Sequence, residues 1–263
     1  MTITLVQTEI QWMEADANIH QAMSAMESCP GSDLYVLPEM WATGFVTEPS
    51  DKTNEQSLRA LEWMVRQSDR ADCRIAGSLA VKEAGEDGAE VWHNRFFLVS
   101  PDGNVEYYDK RHLFTYGDED VRYSAGTART IVMTDEASIL PQICYDLRFP
   151  VFARNGKGEE RYDIIIYVAS WPASRQAAWD VLLRARAIEN QCFVVGVNRA
   201  GRDPICSYAG GSCIIDPYGR NVISLNSSGH AQTASAEIDM EMLARFRNKF
   251  PVLEDADDFA LKA

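Results

Sequence analysis

The sequence predicts an α/β fold in which two β-sheets pack face to face, with helices on their outer faces. Short apolar segments typical of strands alternate with amphipathic segments typical of helices, which is the pattern of α/β proteins. Several strand-like segments also follow one another directly, separated only by turn residues. One purely parallel sheet does not accommodate such consecutive strands, whereas two packed sheets do.

The first half of the chain supplies strands, helices and turns in a regular order. Apolar alternation predicts strands at 3–7 (ITLVQ), 33–39 (DLYVLPE), 73–81, 91–100 and 105–110 (VEYYDK). Spacing of three and four between apolar residues predicts helices at 18–28 and 55–68. The polar, glycine-rich segment 82–90 (KEAGEDGAE) is predicted to be a hairpin loop, and PDGN (101–104) is a turn.

The second half continues the alternation and ends in a helix. Strands are predicted at 127–133, 138–144, 162–170, 192–201, 212–220, 221–225 and 233–239. Among them, YDIIIYVAS (162–170) is nearly all apolar, as in a strand that is buried on both faces. Helices are predicted at 149–156, stopped by Gly156, and at 175–190 and 240–250. No internal repeat or linker interrupts the pattern, which predicts a single domain spanning residues 1–263.

The composition excludes some classes of partner. The formal net charge is −14, so nucleic acid and anionic membranes are not expected as partners, although a local cationic cluster can still bind a small anion. The first residues do not resemble a secretory signal, and no stretch of 18 apolar residues predicts a membrane span. Six cysteines form no CxxC pair or zinc-ligand spacing. Reduced thiols, a cytoplasmic location and no metal or other cofactor are therefore expected.

Three predicted strands end in a chemically reactive residue. They are Glu39 after DLYVLPE, Lys110 after VEYYDK and Cys144 after SILPQIC. Active sites of α/β proteins gather beyond the carboxyl ends of strands, so these positions are candidates for a proton-transfer carboxyl, an oxyanion-binding ammonium and a nucleophile. The alternatives are a surface glutamate, a solvated lysine and a core thiol. His112 leaves open a second alternative, a Cys–His pair.

Three motifs in this order resemble the nitrilase superfamily of carbon–nitrogen hydrolases. LPEMWATGF contains Glu39, YDKRHLF contains Lys110 and ICYDLRFP contains Cys144, which match the Glu–Lys–Cys triad of that superfamily. The likeness extends over 168–191 and 249–259 and is greatest to bacterial omega-amidases, which hydrolyse 2-oxoglutaramate and 2-oxosuccinamate to the 2-oxo acid and ammonia. The resemblance implies a four-layer α-β-β-α sandwich of two mixed sheets, a homodimer and no cofactor.

The resemblance also implies a second glutamate after the lysine. The matching position is Glu119 in TYGDEDVRY. Because Asp118 and Asp120 flank it, an alignment shifted by one residue also places an acid at this position. One departure is that Ser170 begins the Ser-Trp-Pro segment where many relatives have Asn-Trp-Pro. This difference affects the contacts made by that segment but does not change the three residues of the triad.

A thioester mechanism and a small substrate follow as expectations. Glu39 would act as the base, and Lys110 and the backbone N–H of Tyr145 would hold the oxyanion. Arg148, four residues after the nucleophile, would bind a substrate carboxylate; the alternative is a structural pair with an acid such as Asp146. The aromatic side chains expected to form an apolar wall around the substrate are those of Phe114, Tyr116 and Trp171.

Two other functions remain open at this stage. One is a different reaction of the same superfamily, such as that of an amidase or carbamoylase acting on another small carboxylated amide. The other is a catalytically silent metabolite-binding protein, which has no need of a nucleophile. The complete set of Glu39, Lys110 and Cys144 favours an enzyme.

Overall fold

The computed structural model describes residues 1–85 and 88–257. In chain order the strands are β1 (Thr2–Gln7), β2 (Leu34–Val36), β3 (Arg74–Ala84), β4 (Glu90–Val99), β5 (Val105–Asp109), β6 (Val132–Met133), β7 (Ser138–Ile143), β8 (Ile164–Ala169), β9 (Phe193–Asn198), β10 (Ala200–Arg202), β11 (Ser207–Ala209), β12 (Cys213–Ile215), β13 (Asn221–Ser224) and β14 (Gln232–Glu237). The α-helices are α1 (Ala15–Ser28), α2 (Asp51–Ala71), α3 (Gln176–Asn190) and α4 (Met240–Lys249). Their order follows the predicted alternation closely.

The strands of the described residues form two mixed six-stranded sheets and a short ribbon. The first sheet has the order β14-β1-β2-β3-β4-β5, and the second has the order β13-β12-β9-β8-β7-β6. In the first sheet β1, β2 and β3 are parallel; in the second β7, β8 and β9 are parallel. The ribbon pairs β10 with β11. Parallel strands carry their carboxyl ends to one edge, which prepares a site there.

Two hydrophobic cores show how the layers stack. Ile3 and Leu5 of β1 belong to a core that also contains β7, β8 and β9, so this core lies between the sheets and continues to α3 and Leu243 of α4. Val6 of β1 points the other way, into a core with α1 and α2. Alternate residues of one strand therefore serve both cores. The layers are helix, sheet, sheet and helix, which confirms the predicted four-layer sandwich.

The predicted hairpin is present, and one predicted helix is wrong. Antiparallel β3 and β4 pair from Ile75↔Val99 to Ala84↔Glu90, while residues 86–87 of the predicted loop lie outside the described residues, as do 258–259 of the segment 249–259. Segment 149–156 forms turns instead of a helix. Pro150 explains the difference, because it disfavours a helical conformation at Phe149, whose φ and ψ are −114° and 85°.

Several predicted strands are shorter or divided. The segments 33–39, 127–133 and 212–220 are strands only over β2 (Leu34–Val36), β6 (Val132–Met133) and β12 (Cys213–Ile215). The segment 192–201 divides into β9 and β10, which belong to different sheets. The break falls at Arg199, which is fully buried and bonds through its side chain to the carbonyl oxygens of Ile10 and Arg202, so the chain turns there. Within the described ranges, no helix combines the length and apolar character needed to cross a bilayer.

Candidate active site

The three strand-end residues meet at one place between the sheets. Glu39 follows β2 and Lys110 follows β5 in the first sheet, whereas Cys144 follows β7 in the second. Lys110 Nζ lies 2.8 Å from Glu39 Oε1, and Glu39 lies near enough to the Cys144 thiol for its charge to raise the pKa of the thiol. Glu39 and Cys144 also line one cavity. A sulfur, a carboxylate and an ammonium thus form one cluster, in which the sulfur and the carboxylate border the cavity and the ammonium lies behind the carboxylate.

Cys144 sits at a sharp turn. It is the first residue of a five-residue 3₁₀ helix (Cys144–Arg148), and its φ of +47° lies in the left-handed region. A residue with a Cβ pays roughly 1–2 kcal/mol for that conformation. The turn directs the chain out of the sheet at the point where the thiol borders the cavity, with Cys144 9% exposed.

Lys110 is buried without solvent exposure between two carboxylates. Its ammonium lies 2.8 Å from Glu39 Oε1 and 2.9 Å from Glu119 Oε2. Burial acts to lower the pKa of Lys110, but the charges of Glu119 and Glu39 outweigh it, so the pKa is raised above that of an ordinary lysine. The two carboxylates therefore favour the cationic form of Lys110.

Glu119 is the acid that points into the site. Glu119 is fully buried and accepts a hydrogen bond from Phe114 N at 2.7 Å, whereas Asp118 and Asp120 are exposed. Burial raises the pKa of Glu119, Lys110 lowers it, and the nearby charge of Glu39 raises it again. The position chosen from sequence is thus the one that lies beside the lysine.

Two contacts that the sequence did not point to hold the carboxylates in place. Asn94 Nδ2 donates to Glu39 Oε1 at 2.8 Å and to Glu119 Oε1 at 2.9 Å, while its Oδ1 accepts from Ser78 Oγ. The backbone N–H of Ser170 donates to Glu39 Oε2 at 2.8 Å. Because a backbone group makes that contact, serine in place of asparagine at 170 leaves it intact. In the sequence Asn94 is one of several polar residues in a predicted strand, which does not single it out.

The surroundings of the Cys144 thiol favour its protonated form. Burial raises its pKa well above the usual value, the charge of Glu39 raises it further, and Lys110 only partly offsets these effects. A thiol in this environment needs a neighbouring base to take its proton before it can act as a nucleophile. Glu39 is the carboxylate that borders the same cavity.

A cavity of about 140 Å³ opens above the thiol. Every side chain predicted to bind substrate lines it, namely Phe114, Tyr116, Tyr145, Arg148 and Trp171. Tyr116 is 79% exposed and lies at the rim, whereas Trp171 is buried. The sequence did not point to the remaining wall, which includes Thr47, Arg175 and four residues from β11 and the loop before it: Asp203, Ile205, Cys206 and Tyr208.

Neither of the two arginines that line the cavity forms an ion pair with an acidic residue in the described part of the chain. Arg148 lies 4.9 Å above the Trp171 ring, and Arg175 lies 4.9 Å from the Tyr116 ring centroid. The structural pair of Arg148 with Asp146 is not formed, because the Asp146 carboxylate binds Tyr108, His112 and the Ile143 N–H. Two guanidinium groups therefore face the cavity with hydrogen-bond donors to spare.

His112 is not placed to assist the thiol. Its Nδ1 lies 2.8 Å from Asp146 Oδ1, and its ring stacks on Phe149 with centroids 3.9 Å apart. It does not line the cavity. The geometry therefore favours Glu39 over a Cys–His pair.

The chain is similar to known proteins along almost its whole length. It is 43% identical to Omega-amidase YafV of Escherichia coli (strain K12), covering 99% of this chain and 98% of that protein. It is 33% identical to the 2-oxoglutaramate amidase of Bacillus subtilis (strain 168), covering 97% and 96%. A crystal structure of a CN-hydrolase superfamily protein from Xanthomonas campestris, with an arsenic adduct in its active site, matches with a TM-score of 0.91 and 39% identity, covering 100% and 99%.

The family model for carbon-nitrogen hydrolases matches residues 2–248. This match and the relatives confirm the resemblance inferred from the three motifs and the enzyme class predicted from it. The agreement covers both sheets and all four α-helices nearly completely, so it does not depend on the site alone. The chain belongs to the carbon-nitrogen hydrolase family.

Proposed function

We propose that this protein is an omega-amidase, which hydrolyses the terminal amide of a small 2-oxo dicarboxylic acid monoamide to the 2-oxo acid and ammonia. 2-Oxoglutaramate and 2-oxosuccinamate are the substrates proposed. One observation carries the proposal: a thiol and a buried, lysine-paired carboxylate border the same small cavity, which also contains two arginines without acid partners in the described residues. The names of the E. coli and B. subtilis relatives support it.

In the first half of the reaction, Glu39 takes the thiol proton as Cys144 Sγ bonds to the amide carbon. The electron pair of the C=O bond moves to oxygen, where Lys110 Nζ and the Tyr145 N–H hold the negative charge. The carbonyl then re-forms, the C–N bond breaks, and Glu39 gives its proton to the departing nitrogen. Ammonia leaves and a thioester remains on the cysteine.

In the second half, water replaces the nitrogen. Glu39 takes a proton from the water as its oxygen attacks the thioester carbon, and the same oxyanion donors hold the new charge. The C–S bond then breaks, the sulfur recovers a proton from Glu39, and the free acid leaves. Glu119 orients Lys110 throughout through its two hydrogen bonds to Nζ.

The charge of the cavity selects a carboxylated amide. The chain as a whole carries −14, and the carboxylates of Glu39 and Asp203 line the cavity, but these bind Lys110 and the Tyr208 hydroxyl. Arg148 and Arg175 face the same cavity and form no ion pair in the described residues. A guanidinium grips a carboxylate through two parallel hydrogen bonds. With about 140 Å³ available, well below the roughly 300–1,000 Å³ of pockets for drug-sized ligands, the substrate is small.

Mass spectrometry of the intact protein tests the reaction and its covalent step. After a brief soak with 2-oxoglutaramate and an acid quench, we expect an added mass of the acyl group that maps to Cys144. Ammonia release is then compared among 2-oxoglutaramate, 2-oxosuccinamate, a nitrile and an N-carbamoyl amino acid. Faster turnover of the nitrile or the carbamoyl compound would replace the proposed substrate class, and an adduct on another cysteine would replace the nucleophile.

Replacing Arg148 with methionine tests carboxylate recognition. Methionine keeps an unbranched chain against Trp171 but removes the charged donors, which are worth about 1.5–3 kcal/mol. We expect kcat/KM for 2-oxoglutaramate to fall about 10- to 100-fold. Hydrolysis of butyramide, which has no carboxylate, is the control and is expected to change little. An equal loss on both amides would assign Arg148 a structural role.

We further propose that the protein is a single-domain, cytoplasmic homodimer. All six cysteines are free, which suits a reducing compartment. Val181 and Ile188 expose apolar side chains from α3, and Tyr218 lies exposed in the turn before β13, which suits a face covered by a second copy. Light scattering across a concentration series tests the oligomeric state; a mass of one chain at every concentration would contradict it.

A further inference from the structure

The nucleophile and the oxyanion-binding lysine belong to different sheets. Lys110 follows β5, an outer strand of the first sheet, and Cys144 follows β7 in the second. Within the described residues no strand ladder joins these sheets, and the isolated backbone bridge between Glu9 and Ala200 follows β1 and β9, not β5 and β7. Side-chain packing therefore sets the relative position of the ends of β5 and β7. Catalysis is sensitive to this position, since a displacement of 1 Å can cost about 100-fold in rate. A specific connection between the two strand ends therefore has functional value.

The carboxylate of Asp146 makes that connection. Asp146 is fully buried two residues after Cys144. Its Oδ2 accepts hydrogen bonds from Ile143 N at 2.9 Å, on the nucleophile side, and from the Tyr108 hydroxyl at 2.9 Å, on β5. Its Oδ1 accepts from His112 N at 3.0 Å and lies 2.8 Å from His112 Nδ1, just beyond Lys110.

The partners of Asp146 are themselves fixed. Tyr108 is buried, and burial together with Asp146 raises its pKa well above the usual value, so its hydroxyl remains a donor. The same hydroxyl accepts a hydrogen bond from Arg111 N at 3.0 Å. The His112 ring stacks on Phe149. The segment on both sides of Lys110 is thus tied to one carboxylate.

Asp146 also supports the strained turn at the nucleophile. Its bond to Ile143 N closes the chain around Cys144, whose φ of +47° is unfavourable by itself. Neither Asp146 nor its partners Tyr108 and His112 line the cavity. Asp146 therefore acts on substrate only through other residues.

We propose that Asp146 is a positioning residue, which holds the Cys144 turn of the second sheet in register with the Lys110 segment of the first. The proposal rests on the roles proposed above for Cys144 and Lys110. His112 contributes to this positioning because it donates hydrogen bonds to the Asp146 carboxylate. An aspartate is needed because four donors converge on two acceptor oxygens, and an asparagine would turn an NH₂ group toward two of those donors.

Asp146→Asn is the direct test. We expect kcat for 2-oxoglutaramate to fall about 100-fold while KM changes less than about threefold, because the cavity walls are unchanged. The rate at which iodoacetamide alkylates Cys144, followed by intact mass, is expected to fall at least about tenfold. This readout does not depend on any amide substrate. Circular dichroism and thermal unfolding establish that the variant is folded at the assay temperature.

A matched pair at His112 extends the test. His112→Asn keeps an N–H donor near the position of Nδ1, and His112→Ala removes it. We expect kcat to stay within about threefold of wild type in the first variant and to fall about tenfold in the second. The pair also keeps the proposal testable if Asp146→Asn does not fold, as does Tyr108→Phe, for which we expect a fall in kcat of about tenfold.

Several results would overturn the proposal. They are an unchanged kcat and alkylation rate in folded Asp146→Asn, a rise in KM with kcat preserved, and equal activity of the two His112 variants. Failure of the proposed function looks different. In that case the wild-type protein releases no ammonia from the amides tested, while the alkylation rates of Cys144 still report whether Asp146 positions the thiol.

Discussion

Cys144→Ala is expected to abolish ammonia release from 2-oxoglutaramate, with a loss in kcat of about 10⁴-fold or more. Removing the nucleophile of a covalent mechanism leaves only the binding and oxyanion contributions, which cannot form the thioester. The fold is expected to persist, because alanine fits the space of the thiol and leaves the Ile143–Asp146 bond in place. Ammonia assays combined with thermal unfolding check both expectations.

Cys29→Ala is the matched control for Cys144→Ala. Cys29 follows α1, is partly exposed and does not line the cavity, so its replacement is expected to leave kcat within about twofold. Ammonia release by Cys144→Ala at the wild-type rate would remove the nucleophile assignment.

The Cys144→Ala variant also distinguishes an enzyme from a binding protein. Calorimetry is expected to detect 2-oxoglutaramate bound to this variant, since both arginines remain. Wild-type binding without turnover would favour the metabolite-binding alternative.

The pattern of the sequence was sufficient to predict the layers and to select three residues that the structure brings together. The apolar run of β8 predicted a strand buried on both faces, and every residue of Ile164–Ala169 is buried. Strand ends pointed to Glu39, Lys110 and Cys144 because the carboxyl ends of neighbouring strands share an edge. The helix predicted at 149–156 failed because apolar spacing was given more weight than Pro150, which restricts the residue before it.

The residues that support the triad could not be found from sequence, because their contacts depend on register between strands far apart in the chain. Asn94 bonds to Glu39 across 55 positions, and Asp146 bonds to Tyr108 across 38. Arg175 reaches the cavity from the segment before α3. Nothing in the local sequence distinguishes it from the other basic residues of the chain. Buried polar groups of this kind become identifiable only when their partners are known.

Lys110→Met is expected to have the second largest effect, on both activity and stability. The lysine neutralises Glu39 and Glu119 in a site without solvent exposure, and removing one member of a buried ion pair costs about 3–5 kcal/mol of unfolding free energy. The loss of an oxyanion donor adds a fall of about 10²- to 10³-fold in kcat. Ammonia assays and urea unfolding measure the two effects. Lys52→Met, at an exposed position in α2, is the control and is expected to change neither.

The stability lost by the Lys110→Met variant is expected to depend on pH in a specific direction. Burial raises the pKa of Glu119 and Lys110 lowers it, so removing the lysine moves this pKa further upward. A carboxyl whose pKa is higher in the folded state than in the unfolded state favours folding at low pH, and this contribution is lost as the pH rises through the folded-state pKa. The stability deficit of the variant relative to wild type is therefore expected to widen as the pH rises from about 4.3, the ordinary pKa of a glutamate, toward neutrality. A deficit that stays constant or narrows over this range would show that Lys110 does not neutralise the two buried carboxylates, and its place as the cation of the oxyanion site would then be lost.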